Sequence, residues 1–467
     1  MRILKAYRIG ELFGGWSHYT PPAVASMLQV QWSGRRSALF LIFLLWTSGV
    51  LLAACDSRAP VGEISDVVAE TPVSTEFSMA GEVTPAENGA TAVYRPLVLW
   101  VPEFLDVEPS DNAGSVLSAA ITQFEQVNPG VQVELAAKAE RGEASLFNYL
   151  LSAQKAAPAI LPDLMVLNTQ QLWQVAELGL VQPISASTAL QMVDFYDFAL
   201  QAVTYNEQVL GVPYAADMPH LVYHQEQILI PPRTWADLLA ADTEYILPIK
   251  NRAGESSGSL LTQYVGAGGQ LLEGGTVSDP DAAAALLEFL ATANAQSVIP
   301  DQVVEYTDLN GTWSDFMANG VAMADASARS YLSQREVLDG VVYGQLPSAD
   351  GASHSVTTVW AFAILSEDPE QRVLALELIQ TLLAPSVQGP WTQFAHFLPT
   401  HRSALEAWSS GQPYYEFLGQ QLEQGAVAIP NGRLFAQFSR RLADAGLAVL
   451  QGQLSPEEAL AELRATP

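Results

Sequence analysis

The amino-acid sequence predicts an α/β protein, because strand-like and helix-like segments alternate along most of its length. A short apolar run at 97–101 is typical of a buried strand, and residues 115–127 place apolar side chains on one helical face. Residues 131–135 alternate between apolar and polar, as a half-buried strand does. Regular alternation with short connections favours a parallel sheet joined by right-handed crossovers.

The pattern continues beyond these first elements. A second helix is predicted around 146–151, a third strand at 164–167 and a third helix at 170–178, which Gly179 ends. Later helices begin with residues whose side-chain oxygen can accept a hydrogen bond from the first turn; these are Thr234, Asp279, Asp368 and Ser455. The sequence therefore predicts an α/β architecture for the whole body.

Composition and charge exclude several classes of protein. The chain has 467 residues, and 49% of them are hydrophobic, which is too many for a disordered protein. The formal net charge of −29 repels phosphate backbones, so no nucleic acid is expected as a partner. Cys55 is the only cysteine, which excludes an internal disulfide and a thiolate zinc site. We predict no metal and no cofactor.

The N-terminal region resembles a bacterial lipoprotein signal peptide. Arg35 and Arg36 precede an uncharged run at 37–54 that ends in Leu-Ala-Ala before Cys55. We predict a signal peptide at 27–54, a mis-called start extension at 1–26, and lipidation of Cys55, which implies a membrane anchor. The alternative is a plain transmembrane helix, for which 18 residues are just sufficient.

Residues 55–93 are predicted to be a flexible acidic tether. The segment 56–93 is rich in acidic residues, Thr, Pro, Ala and Ser, and its one aromatic residue is Phe77. A tether of this kind holds a folded body near the membrane at high effective concentration. The predicted organisation is an anchor, a tether and a folded body.

The body resembles the extracellular solute-binding proteins of bacterial ABC importers, in particular the large family that includes maltose- and other sugar-binding proteins. The similar segments occur in the family's order over nearly the whole body. They are 121–133, 161–166, 175–184, 210–214, 221–223, 232–238, 316–323 and 397–404. Each segment alone is weak evidence for the family, and it is their occurrence in the family's order that makes the resemblance specific.

The resemblance implies two α/β lobes with a ligand cleft between them and closure by hinge bending. It places 94–210 and 348–390 in the first lobe, and 211–347 and 391–467 in the second. The implied function is capture of a sugar or oligosaccharide and delivery to the transmembrane subunits of an ABC permease. We expect an exported monomer, held by lipidated Cys55 at the outer face of the cytoplasmic membrane.

Six residues are predicted to contact the ligand. A pyranose ring stacks its C–H face on aromatic side chains, and its hydroxyls need fixed donors and acceptors. Several candidates follow the ends of predicted strands, where open α/β sheets place ligands. The predicted contacts are Trp100, Glu103, Asp217, Trp313, Arg329 and Trp360.

Two other functions are weighed against this one. Residues 254–258 match the hydrolase pattern Gly-x-Ser-x-Gly, with Ser256 as the nucleophile, but the predicted strand 245–249 ends too early for a nucleophile elbow. His220 and His224 have the spacing of zinc ligands on a helix, but lie where a strand is expected. We therefore expect no enzyme; a surface-anchored hydrolase and a binder of another polar solute, a polyamine or peptide, remain the alternatives.

Overall fold

The computed structural model describes residues 95–106, 111–140, 142–184, 194–272, 274, 279–408 and 411–465. The predicted signal peptide, Cys55 and the predicted tether lie outside these residues. Within the described ranges, none of the helices combines the length and the hydrophobicity that a membrane crossing requires.

The strands and helices follow the alternation that the sequence predicts. The strands are β1 (Arg95–Pro102), β2 (Val131–Lys138), β3 (Leu164–Asn168), β4 (Thr204–Tyr205), β5 (Gln208–Val209), β6 (Val212–Asp217), β7 (Pro219–His224), β8 (Tyr245–Ile246), β9 (Met323–Ser327), β10 (Val341–Gly344), β11 (Ser355–Ile364), β12 (Leu398–Pro399) and β13 (Ala426–Ala428). The helices are α1 (Asn112–Val127), α2 (Leu146–Ala156), α3 (Thr169–Glu177), α4 (Asp197–Ala202), α5 (Trp235–Ala241), α6 (Gly258–Gly266), α7 (Pro280–Ala295), α8 (Leu309–Asn319), α9 (Ala328–Gln334), α10 (Pro369–Leu383), α11 (Pro385–Ala395), α12 (Arg402–Glu406), α13 (Pro413–Gln424), α14 (Arg433–Leu450) and α15 (Pro456–Ala465).

The larger sheet has the strand order β12-β6-β11-β3-β1-β2, and β13 pairs with β11. Its β1, β2 and β3 are parallel, as predicted, whereas β11 runs antiparallel to both β3 and β6. The difference arises because the chain enters β11 from the smaller sheet, not through a crossover helix on the same sheet. The larger sheet is therefore mixed.

Side chains alternate between the two faces of the larger sheet along each strand, and helices pack on both faces. In β1, Leu99 and Val101 join a core that includes Phe124 of α1, whereas Trp100 points to the other face and packs with Leu146 of α2. This sheet, with the helices on its two faces, is the first lobe.

The smaller sheet has the order β10-β7-β9-β8 and forms the second lobe. The core of this lobe contains buried side chains of α6, α7, α14 and α15. Trp235 at the start of α5 stacks on Phe289 of α7 with 4.3 Å between ring centroids. The predicted cap at Thr234 is confirmed, because its side chain accepts from the Asp237 N–H and the Asp237 carboxylate accepts from the Thr234 N–H.

The chain changes sheet at Met218, between β6 in the larger sheet and β7 in the smaller one. The sequence-based boundary after Leu210 precedes β6, which pairs with β11. Similarly, the segment 391–467 assigned to the second lobe contains β12, which pairs with β6. From this pairing we infer that the first lobe extends to Asp217 and takes up β12.

Candidate functional site

A cavity of about 830 Å³ is lined by residues of both lobes. On the first-lobe side, the lining comes from the ends of strands and from β11, and it includes Asn168, Asp217 and Trp360. On the second-lobe side, Trp313 of α8 and Arg329 of α9 contribute. The cavity thus lies where the chain passes between the two sheets.

Four helices begin at this cavity, and each is capped by a side chain in its lining. Asn168 caps α3 and accepts from the Gln171 N–H at 2.9 Å; Ser257 caps α6, Asp308 caps α8 and Ser327 caps α9. Each helix presents the positive end of its dipole at its first turn. The cavity wall is consequently favourable for electron-rich oxygen atoms.

Two tryptophans contribute aromatic surface to the cavity. Trp360 is 8% exposed and is held edge-on by Phe104 and Phe397, with centroid distances of 5.5 Å and 5.3 Å. Trp313 is 6% exposed and stacks on Phe316 at 6.0 Å. The pairing of β11 with β6 shifts register between Trp360 and the next residue, and such irregularities re-aim side chains next to binding sites.

Asp217 and Arg329 meet at the junction of the lobes. The backbone N–H of Arg329 donates to Asp217 Oδ1 at 3.1 Å, and the Arg329 guanidinium lies over the ring of Phe397, 4.2 Å from its centroid. Burial raises the pKa of Asp217, while hydrogen bonds and the charge of Arg329 oppose the rise. The backbone hydrogen bond ties the end of β6 to the start of α9.

Of the six predicted contacts, the structure brings four together: Asp217, Trp313, Arg329 and Trp360 line the cavity. Trp100 does not, because the alternation along β1 turns it to the other face, where it packs against Tyr149 with Lys138 above its ring. Glu103 is exposed on a short 3-10 helix after β1 and lies outside the lining.

A family model described as bacterial extracellular solute-binding protein matches residues 119–413, which is more than half of the chain. The chain belongs to this family. The family resemblance predicted from the sequence is thereby confirmed, and membership of an extracellular family implies that this solute-binding protein is exported.

Solved structures with a similar fold include three sugar-binding proteins. The maltose-bound MalE3 of T. maritima is 19% identical, with 79% of this chain and 98% of that one covered and a TM-score of 0.62. MalE from Xanthomonas citri is 19% identical, with coverages of 79% and 96% and a TM-score of 0.64. The cyclic alpha-maltosyl-1,6-maltose binding protein from Arthrobacter globiformis is 17% identical, with coverages of 80% and 97% and a TM-score of 0.63. At these identities the likeness establishes the two-lobe fold.

Several residues that line the cavity of this solute-binding protein are not evident from its sequence. His396 ends α11 in the left-handed conformation, with φ at 61°, and lines the cavity. Burial and the positive charges of Arg329 and Arg335 lower the pKa of His396. The helix caps Asn168, Ser257 and Asp308 were also missed as lining residues, although capping residues can be read from sequence. The sequence does not show that four helices begin at the same cavity.

The Ser256 hydroxyl and the His220 ring, on which the alternative functions depend, have hydrogen-bond partners within the fold. Ser256 is buried, and its hydroxyl donates to the backbone carbonyl of Ser439 at 2.6 Å. His220 lies in β7, with Nδ1 at 3.0 Å from the Leu221 carbonyl and Nε2 at 2.7 Å from the Tyr414 hydroxyl. The hydroxyl of Ser256 is therefore not presented to a general base, and both ring nitrogens of His220 are occupied.

Proposed function

We propose that this solute-binding protein is the substrate-binding component of an ABC importer and that its cavity captures a sugar or oligosaccharide. The observation that carries the proposal is the joint placement of Trp313 and Trp360 in a polar cavity lined by both lobes. Aromatic faces suit the C–H surface of a pyranose, and capped helix starts and amides suit its hydroxyls. The similar solved structures are described as binders of maltose and related sugars.

Hinge closure follows from the same geometry. A solute that touches Trp360 on the first lobe and Trp313 on the second makes both contacts fully only when the lobes approach each other. Its binding therefore favours the closed form. We propose that the closed form is recognised by the transmembrane subunits of the permease, and that the binding protein acts as a monomer without enzymatic activity.

A thermal-unfolding panel on the purified protein tests this function. A sugar present at about 100 times its Kd adds about 2.7 kcal/mol to the free energy of unfolding, which raises Tm measurably. Small-angle scattering with the same sugar is expected to show a smaller radius of gyration. If spermidine or dipeptides raise Tm while every mono- and oligosaccharide is inert, the sugar assignment is wrong.

We further propose that lipidated Cys55 anchors the protein at the outer face of the cytoplasmic membrane, with 55–93 as the tether. Cys55→Ser is expected to move the protein from the membrane fraction into the soluble exported fraction, because the acyl acceptor is lost. Fractionation of cells expressing each form measures this, with Ser57→Ala as the matched control. Retention of the Cys55→Ser variant in the membrane would contradict the proposed anchor.

A further inference from the structure

The Arg329 guanidinium is a cation in the cavity wall without a protein acceptor in the described part of the chain. The residue is half-buried, and its guanidinium lies over the rings of Phe397 and Phe104, 4.2 Å and 5.4 Å from their centroids. The backbone N–H of this residue, not its guanidinium, bonds Asp217. A guanidinium that packs one face on a ring keeps its N–H edge for an acceptor.

The carboxylates that line the cavity form no ion pair with the Arg329 guanidinium in the described part of the chain. Asp217 accepts from the backbone N–H of Arg329 at 3.1 Å, and the Arg329 charge acts on it electrostatically. Asp308 accepts from the Gly311 N–H as the cap of α8 and pairs with Arg252 at 2.7 Å. Among the described lining residues, the remaining acid is Glu140, which follows β2. The positive charge of Arg329 is therefore not matched by an ion pair within the cavity.

The surroundings of Arg329 add donors to this charge. His396 lies in the same lining, close enough to Arg329 for the two to interact electrostatically. Trp360 packs on Phe104 and Phe397, the two rings over which the Arg329 guanidinium also lies, and its indole lines the same cavity. The cavity thus offers a cation with N–H donors near it to the solute.

We propose that the solute carries a negatively charged group, the carboxylate of a sugar acid or the phosphate of a sugar phosphate, and that the N–H edge of Arg329 binds it. Both groups accept two parallel hydrogen bonds from a guanidinium, which a neutral hydroxyl cannot do. The proposal rests on the proposed function, since it names the substrate class of the same cavity.

Titration calorimetry on the purified protein tests the proposal with matched sugars: galactose, galacturonic acid, galactose phosphate and the dimers of the first two. An anionic sugar is expected to bind at least about tenfold more tightly than its neutral partner, and more weakly as salt rises. Comparing the affinities for galacturonic acid and galactose phosphate shows whether the site prefers a carboxylate or a phosphate.

Arg329→Gln is expected to weaken binding of the anionic sugar about 10- to 100-fold, because a charge-assisted pair is lost. Arg329→Lys keeps the charge but cannot donate two parallel hydrogen bonds, and it is expected to lose less affinity than Arg329→Gln. Arg372→Gln on α10, whose guanidinium bonds the Pro183 carbonyl outside the cavity, is the matched control and is expected to bind like the wild type. Thermal unfolding without ligand checks that each variant is folded.

Two results separate this proposal from the proposed function. If neutral sugars bind as tightly as their acids and folded Arg329→Gln binds them unchanged, the anionic solute is excluded while the sugar-binding function stands. If the wild type binds neither neutral nor anionic sugars, the proposed function fails and this proposal fails with it.

Discussion

Replacing Trp360 with alanine is expected to weaken sugar binding about 100-fold, which corresponds to roughly 3 kcal/mol. Trp360 is largely buried against Phe104 and Phe397 and presents its remaining surface to the cavity. The alanine variant loses both the apolar face on which a pyranose stacks and the indole N–H donor. Titration calorimetry with the tightest sugar of the panel measures the change.

Trp360→Ala also removes packing from the first-lobe core, and large-to-small changes of this kind cost about 3–5 kcal/mol of folding free energy. Trp360→Phe separates the two effects, because it keeps a ring against Phe104 and Phe397 and removes only the donor and part of the face. We expect it to fold normally and to bind about tenfold more weakly. Trp173→Phe on α3, outside the cavity lining, is the matched control. If folded Trp360→Phe or Trp360→Ala binds the sugar with wild-type affinity, Trp360 does not contact the sugar.

The local elements were predictable because their signals are local. The apolar faces of α1 and α3 and the alternation in β2 appear in the sequence as periodicities, and the cap at Thr234 as an adjacent pair of residues. The direction of β11 was not predictable in this way. It depends on the partners β3 and β6, which lie far away in sequence, and a strand has the same alternation in either direction.

The residues of the candidate site differ in the same way: some could be predicted from local signals, and others depend on how distant elements pack. Arg329 follows the end of a strand that reaches the cavity, so reasoning from strand ends located it. Trp360 lies within β11, where the family resemblance implies a strand that lines the cleft. Trp100 also lies near a strand end, but one residue decides which face of the sheet a side chain takes. The face of β1 that meets α2 becomes known only when the helix positions are known. The same holds for His396, whose place depends on how α11 packs.

A second large effect is expected from Asp325, a fully buried acid in β9. The Tyr245 hydroxyl donates a hydrogen bond to its Oδ1. Burial raises the pKa of Asp325 from 3.8 to about 7, and the hydrogen bond from the Tyr245 hydroxyl opposes the rise. The folded protein therefore holds a proton that the unfolded chain releases above about pH 4. The stability that this proton contributes is complete below about pH 4 and is lost as pH rises through about 7.

Asp325→Asn is expected to abolish this loss, because the amide is neutral at every pH and fills the same space. Relative to the variant, the wild type should lose about 4 kcal/mol of unfolding free energy between about pH 4 and about pH 7. Urea unfolding at a series of pH values measures both proteins. Burial lowers the pKa of His220 and of His401 to about 4, which changes stability in the opposite direction over this range. The difference between the two proteins therefore isolates Asp325.

Tyr245→Phe provides the complementary test of the same buried carboxyl. Removing the hydroxyl takes away a donor that favours the carboxylate, so the pKa of Asp325 should rise further and the loss of stability, which still begins near pH 4, should extend to higher pH. In the double variant with Asp325→Asn this extension should vanish, because no titrating group remains for the hydroxyl to act on. Parallel stability curves for the wild type and Asp325→Asn from pH 4 to pH 8 would contradict this, because they would mean that folding does not raise the pKa of Asp325.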